Sequence, residues 1–289
     1  MKGRRLLNFI VGLTTDLQNV LRGYSTVEVV LVKYLLRMRM FKQLIMSNIA
    51  IKLPDDMKIF INDDATLNIN IPDHYLRREY MRHPEYIPSK DWTVLDVGAY
   101  IGIYTLWASK RVGDKGFVVA FEPNPLVFRW LVSNIKINNI ENVRALPYAL
   151  GDENTKATLY IADENIEASS LIKRHLMNNP SGKYTIIGEF TVPVLTLDYI
   201  IEKSAVIIGK SIIYIDLVKI DVEGYELKVL RGAEKILSKG LIERFIIEVH
   251  TDIVSTLELI KYLIHYGYKL DKVVRFNHVK DLVYMKRKY

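Results

Sequence analysis

The chain has 289 residues, 49% hydrophobic and 25% charged, a balance that suits one large α/β domain with a buried core and an extension. It contains no cysteine, which excludes disulfides, zinc–thiolate sites and a cysteine nucleophile. Net charge is +7, but residues 1–50 carry eight basic side chains against two acidic ones, so the rest is close to neutral and offers no evident basic stripe for a nucleic acid.

In chain order, Leu6, Ile10, Leu13, Leu17 and Val20 or Leu21 recur at steps of three and four, which predicts an amphipathic helix. A second helix is expected over Thr26 to Ser47, capped by Ser25 or Thr26. Lys2, Arg4 and Arg5 precede an apolar patch that Asn8, Asp16 and Gln18 interrupt, so no secretory signal is read. The most apolar stretch, Val27 to Met46, is broken by Glu28, Lys33, Arg37, Arg39, Lys42 and Gln43, whereas a membrane span needs roughly 20 mainly apolar residues. The expected location is cytoplasmic. The basic helices are expected to pack on the body through their apolar stripes, with peripheral contact of residues 1–50 to anionic lipid as the competing reading.

Ile49, Ile51 and Leu53, then Pro54-Asp55-Asp56, then Lys58 to Ile61 read as a β-hairpin, and Leu67, Ile69 and Ile71 alternate as a third strand. Pro72, Pro84 and Pro88 punctuate the next segment. From Thr93 strand and helix alternate. Strands are expected at 94–97, 117–121, 143–150, 216–220 and 244–249, with helices at 104–112, 125–138, 226–237 and 255–266. Residues 151–195 read as irregular, with strand-like pieces at 157–161 and 190–195, and a short helix follows Thr196. Two closing strands, 268–275 and 280–285, meet at Asn277-His278. Such alternation predicts a largely parallel sheet with helices on both faces. The organisation expected is an N-terminal helical and hairpin extension over residues 1–90 and an α/β domain over 91–289.

The strongest signal is Val94-Leu95-Asp96-Val97-Gly98-Ala99-Tyr100-Ile101-Gly102, an apolar strand carrying an acid near its end and a glycine-spaced turn into a helix. Phe121-Glu122-Pro123 closes the next strand, and Glu122 lies 20 residues past Gly102, where an acid accepts hydrogen bonds from ribose hydroxyls. The spacing G-x-x-x-G differs from the dinucleotide fingerprint. Asp96 would repel a pyrophosphate but suits the ammonium group of S-adenosylmethionine. These features disfavour an NAD-dependent dehydrogenase.

On VLDVGAYIGIYTL (Val94 to Leu106), Phe121-Glu122-Pro123, VPVLTLD (Val192 to Asp198), VKIDVEGYE (Val218 to Glu226), LKVLRGAEKIL (Leu227 to Leu237) and IIEVH (Ile246 to His250), the chain resembles the FkbM family of methyltransferases over about residues 75–285. The resemblance implies a Rossmann-like class I methyltransferase fold with a mainly parallel seven-stranded sheet. It also implies S-adenosylmethionine as cofactor and O-methylation of small molecules or sugars; the acceptor expected is a hydroxyl of a sugar, a glycan, a lipid-linked or another small molecule. Cofactor contacts are expected from Asp96, Gly98, Ala99, Tyr100, Gly102 and Glu122, and from Asp152, at a position that reaches the adenine edge in similar proteins. Where the family usually carries asparagine, this chain has Tyr100.

Methyl transfer to oxygen needs a base and an aligned acceptor. Asp221 and Glu223 follow one strand. Glu248 and His250 end its neighbour, two apart and so on one face. His250, Asp221 and Glu223 are the catalytic candidates, with His250 a base because a free imidazole titrates near neutrality. Asp221 and Glu248 could also hold Mg²⁺, a reading left open but not favoured. His74, His83, His175, His265 and His278 lack metal-ligand spacing and read as surface or capping residues. The competing functions are a non-catalytic nucleotide-binding module, which would not need this cluster, and a methyltransferase acting on nucleic acid or protein.

Overall fold

The computed structural model describes residues 2–36, 49–61, 66–162, 169–177, 185–276 and 279–288. Its centre is a seven-stranded sheet made of β3 (Thr93–Val97), β4 (Phe117–Phe121), β5 (Val143–Leu146), β9 (Leu217–Ile220), β10 (Arg244–His250), β11 (Tyr268–Arg275) and β12 (Lys280–Arg287), in the spatial order β11-β12-β10-β9-β3-β4-β5. All neighbouring pairs from β10 to β5 are parallel, and β12 runs antiparallel to both β10 and β11. The chain starts in the middle at β3, moves outward through β4 and β5, then returns to build β9 and β10 on the other side. The carboxyl ends of β3 and β9 therefore flank the switch point of the sheet, where an open α/β sheet leaves a crevice.

Near-continuous apolar strands such as Phe117-Val118-Val119-Ala120-Phe121 are buried on both faces, as a parallel sheet requires. One face packs against the helices Leu197–Glu202, Glu226–Arg231, Glu234–Ser238 and Thr256–His265 in a core that includes Leu95, Val119, Ile220 and Phe245. The other face packs against α3 (Ile103–Val112) and against the N-terminal part of the chain. There Val29, Ile51, Ile59 and Tyr86 share a core with Val94, Val118, Leu282 and Tyr284. The described residues between 29 and 86 thus form one wall of the sheet's own core.

The hairpin forms as its sequence predicts, from β1 (Ala50–Lys52) and β2 (Lys58–Phe60) in antiparallel register, closed by the Leu53 N–H donating to Met57 O at 2.7 Å. It docks through Lys58 N–H and Phe60 N–H, which donate at 2.7 Å to the side-chain carbonyls of Asn138 and Asn134, on and just past α4 (Pro125–Ile137). Of the two expected N-terminal helices, α1 covers Lys2–Leu21 and α2 covers Val27–Leu36, with Thr26 Oγ1 accepting from Val29 N–H as the cap. Residues 37–47 of the second expected helix lie outside the described residues. Asp16 ties α1 to α2 through Lys33 and Tyr34, each at 3.0 Å, but Leu17 and Leu21, expected inside, are exposed. Among the described residues no helix is long and apolar enough to cross a membrane.

Four local expectations need correction. Leu67, Ile69 and Ile71 do not form a strand. Thr66–Asn70 is a π-helical turn, in which Leu67 and Ile71, four apart, fall on the buried side and Ile69 is exposed, so the spacing of the pair is helical. The strand expected over 143–150 breaks at Pro147, which has no N–H for a ladder, and β6 (Ala149–Leu150) leaves for a second sheet. That sheet pairs β6 with β8 (Ile186–Leu195), itself antiparallel to β7 (Thr155–Ala162), so the strand-like pieces expected at 157–161 and 190–195 belong to two longer paired strands, while residues 163–168 and 178–184 lie outside the described residues. The helix expected over 226–237 is two short ones, parted at Gly232, where a Cβ would meet Gly151 O at 1.9 Å. The bend between the closing strands, at 277–278, lies outside the described residues.

Candidate active site

A cleft opens over the carboxyl ends of β3, β4 and β9, enclosing about 1250 Å³ up to and including its open mouth. Gly98, Ala99 and Tyr100 from the loop after β3 line it, with Glu122 after β4 and Asp221 and Glu223 after β9. Tyr148, Ala149, Leu150 and Phe121 add an apolar wall.

The glycine loop is pinned to β4, because Gly98 N–H and Ala99 N–H both donate to Phe121 O at 3.0 and 2.9 Å. Gly98 has φ 79°, and a Cβ there would lie 1.8 Å from Asp221 O. The two loops that shape the cleft touch only because this side chain is missing. Replacing Gly98 with alanine combines a left-handed backbone with a clash against backbone, and the expected loss is about 2–4 kcal/mol of stability. Urea denaturation together with cofactor titration checks this, since both should deteriorate.

Tyr100 also sits in the left-handed region, at φ 51°, a conformation asparagine tolerates better than tyrosine. Its ring packs against the second core, its hydroxyl lies 3.4 Å from Thr66 Oγ1, and its N–H donates to Glu122 Oε2 at 2.8 Å. The residue type that departs from the family is thus anchored to the N-terminal segment. Glu122 accepts a second bond from Asn124 N–H at 2.8 Å and is 8% exposed. Burial pushes its carboxyl up to about 7, with the N–H groups of Asn124 and Tyr100 and the charge of Lys219 offsetting part of the effect.

Asp96 is fully buried and does not line the cleft. Thr105 Oγ1 donates to it at 2.5 Å and Lys219 Nζ lies 3.2 Å away, so the ammonium partner expected for Asp96 is supplied by the chain itself. Lys219 reaches on to Asp221 at 3.6 Å and donates to Gly98 O at 2.7 Å. Burial alone would lower its ammonium; Asp96 and Asp221 outweigh that and raise it above the usual lysine value. Gly102 lies behind the loop, packed on Leu131, and is not part of the lining. Asp152 is also outside the cleft and pairs with Lys228 at 3.4 Å.

Beyond Asp221 the cleft becomes polar. Tyr80 Oη lies 3.0 Å from both Asp221 Oδ2 and Glu248 Oε2 and donates to the pair. Lys280 Nζ holds Glu248, and Glu79 faces the same space. Burial, reinforced by the Glu248 charge, pushes Glu79 up to about 9, so it stands as a neutral acid. The sequence singles out none of Tyr80, Glu79, Lys219 and Lys280 as site residues. Lys219 lies inside the quoted VKIDVEG run, but Tyr80 and Glu79 come from the proline-punctuated segment, which carries no periodicity to place them.

His250 is 1% exposed and outside the cleft lining. Its Nδ1 is 2.7 Å from Glu226 Oε1, and its Nε2 is 3.3 Å from Glu223 Oε2. Burial pulls the imidazole down, but the charges of Glu223 and Glu226 outweigh it and hold His250 well above the ordinary histidine value. It does not titrate near neutrality, which was the ground for expecting a base there. His175 and His74, expected at the surface, are buried, at 2% and 4% exposure. His175 bridges Glu223 and Asp252, and burial lowers His74 to about 3. His278 lies outside the described residues.

A glycine loop at a sheet switch point, a buried acid ending the next strand and an acidic turn after the strand beside it define a Rossmann-like methyltransferase. The family model for the methyltransferase FkbM domain matches residues 96–270, and the chain belongs to this family of S-adenosylmethionine-dependent methyltransferases. Among curated proteins it is similar to Methyltransferase 1 of Beauveria bassiana, 28% identical over 201 residues, covering 64% of this chain and 75% of the relative. It is also similar to the hexuronic acid methyltransferase AglP of Haloferax volcanii, 29% identical over 164 residues, covering 57% of this chain and 58% of that one. Among solved structures, the methyltransferase FkbM from Methylobacillus flagellatus superposes with a TM-score of 0.50 at 16% identity, over 77% of this chain and 53% of that one. That likeness bears on the fold.

The residues present fit an adenosyl ligand. The Glu122 carboxylate faces the cleft as a hydrogen-bond acceptor, and the apolar wall from Phe121 to Leu150 suits a flat ring. A ribose diol donates best to the ionised carboxylate, so binding is expected to expel a proton where Glu122 is still protonated, below pH about 7. Cofactor affinity should be level above that pH and fall below it, approaching tenfold per unit. Calorimetry at pH 6.5 in two buffers of different ionisation enthalpy reads the released proton directly, and Glu122→Gln should abolish the release.

Proposed function

We propose that the protein transfers a methyl group to a hydroxyl oxygen of a sugar or another polyhydroxylated small molecule. The observation that supports this reading is the group of polar side chains, Asp221, Glu248, Tyr80, Glu79 and Lys280, set in the same cleft as the glycine loop. Carboxylates, a phenol and an ammonium in one cleft alternate acceptors and donors, which matches the hydrogen-bonding face of a polyol. The relative named as a hexuronic acid methyltransferase lends the same direction. S-adenosylmethionine supplies the methyl group when bound. Asp221 takes the hydroxyl proton, Tyr80 fixes the Asp221 carboxylate, and the apolar wall excludes water from the cofactor side.

The test is release of S-adenosylhomocysteine from S-adenosylmethionine with neutral hexosides, hexuronosides and phenols as acceptors. Turnover on a sugar hydroxyl, with the label recovered in an ether, is the expected result. Cofactor binding without turnover on any hydroxylated acceptor, or a label recovered on nitrogen, would sink it.

A further inference from the structure

Beside the cleft, with Glu223 in its lining, lies a cluster that the methyl-transfer reading above does not use. His175 Nε2 lies 2.8 Å from Glu223 Oε2, and His250 Nε2 lies 3.3 Å from that same oxygen. The three side chains come from separate places: the short helix Lys173–Met177, the turn after β9 and the end of β10. Their donor atoms all fall within 4.8 Å of one another. We propose that His175, Glu223 and His250 form a binding site for a divalent first-row transition ion, with zinc the ion best matched to it.

Each imidazole is turned by a carboxylate on its far nitrogen, His175 Nδ1 by Asp252 Oδ2 at 2.9 Å and His250 Nδ1 by Glu226 Oε1 at 2.7 Å. The His175 Nε2–H donates to Glu223; an ion entering the site displaces that proton, while the carboxylate on Nδ1 keeps the ring oriented, which is how metal-binding histidines are usually held. Both Nε2 atoms then point at one spot. His250 Nε2 is buried, and its nearest partner, Glu223 Oε2 at 3.3 Å, is the same oxygen that faces His175. A tetrahedral ion with bonds of about 2.0–2.1 Å spaces its ligand atoms by roughly 3.3 Å. The two separations from Glu223 Oε2, 2.8 and 3.3 Å, lie within half an ångström or so of that value.

The backbone is also committed to this arrangement. Glu223 has φ 52°, a conformation that disfavours a branched or long side chain. It is held by Ser170 Oγ donating to Glu223 O at 2.7 Å and by the Gly224 N–H donating to Glu226 Oε1 at 2.9 Å. Two nitrogens and one oxygen select a transition ion over Mg²⁺, which prefers oxygen ligands. The neighbouring acidic pair, Asp221 and Glu248, is bridged by the Tyr80 hydroxyl and belongs to the acceptor region. Glu223 is part of the cleft lining, so the remaining coordination position faces the acceptor side.

The test titrates Zn²⁺ and Co²⁺ into the EDTA-stripped full chain, by calorimetry for the first and by visible ligand-field absorption for the second. The expected result is one ion per chain, weakened at least tenfold by His175→Ala and by His250→Ala and unaffected by His265→Ala. Circular dichroism checks that each variant folds; if His250→Ala does not, His175→Ala decides alone, since its side chain lies outside the central sheet. No stoichiometric ion, preference for Mg²⁺, or binding that survives His175→Ala would overturn the proposal and leave the cluster a proton-held brace. The readout needs no turnover, so it stands or falls separately from the methyl-transfer reading.

Discussion

Lys219→Met is expected to destabilise the protein by about 3–5 kcal/mol, the loss typical of removing one partner from a buried ion pair. The Lys219 side chain is 4% exposed, Asp96 is fully buried, and their charges lie 3.2 Å apart. Methionine fills the space of the stem but leaves Asp96 with only the Thr105 hydroxyl. It also releases Gly98 O and one neighbour of Asp221, so the glycine loop and the turn after β9 lose their common tie. In a chain of this size the melting temperature should drop on the order of 10 °C. Adding Asp96→Asn should restore most of the loss, because the stranded charge goes with it. A double variant no better than the single one would show that the loss comes from packing. Lys203→Met, at an exposed pair with Glu202, should change little.

Lys219 also shows where sequence reading stopped. The carriers of the fold were plain in the chain: near-continuous apolar runs at 94–97 and 117–121, the Pro54-Asp55-Asp56 turn and the helix start after Thr196 all behave as local chemistry dictates. Glu122, Gly98 and Asp221 were legible because a strand end fixes where the next side chain points. Tyr80 was not, since its position depends on a π-helical turn and a 3₁₀ turn that bury a proline-broken segment against β10 and β12. Long-range partnerships were equally hidden. Asp96 is spaced to meet a ligand's ammonium, and nothing local says that a lysine 123 positions later takes that place. His175 looks like a surface residue in a charged Lys-Arg-His run until the ribbon of β7 and β8 brings it beside Glu223. Asp152 is the converse case, where good turn chemistry at the end of β6 turned the acid outward to Lys228.

Asp221→Asn is expected to reduce turnover about 10²–10⁴-fold, the usual contribution of a positioned general base. The Asp221 N–H donates to Val97 O at 3.0 Å, so the residue continues β9 and its carboxylate is held at the rim of the cleft. Tyr80 at 3.0 Å and Lys219 at 3.6 Å fix Oδ2. As the acceptor oxygen takes the methyl group, its proton passes to this carboxylate. Asparagine keeps the shape and can still accept from Tyr80, so cofactor affinity should be unchanged while the proton has nowhere to go. The choice of acceptor separates a base from a residue that only aligns the substrate. A phenol gives up its proton far more readily than a sugar hydroxyl and depends less on a base. The variant should therefore lose much less activity on a phenolic acceptor than on an alkyl glycoside. Equal losses on both would mean that Asp221 positions the acceptor and that the proton leaves by another route.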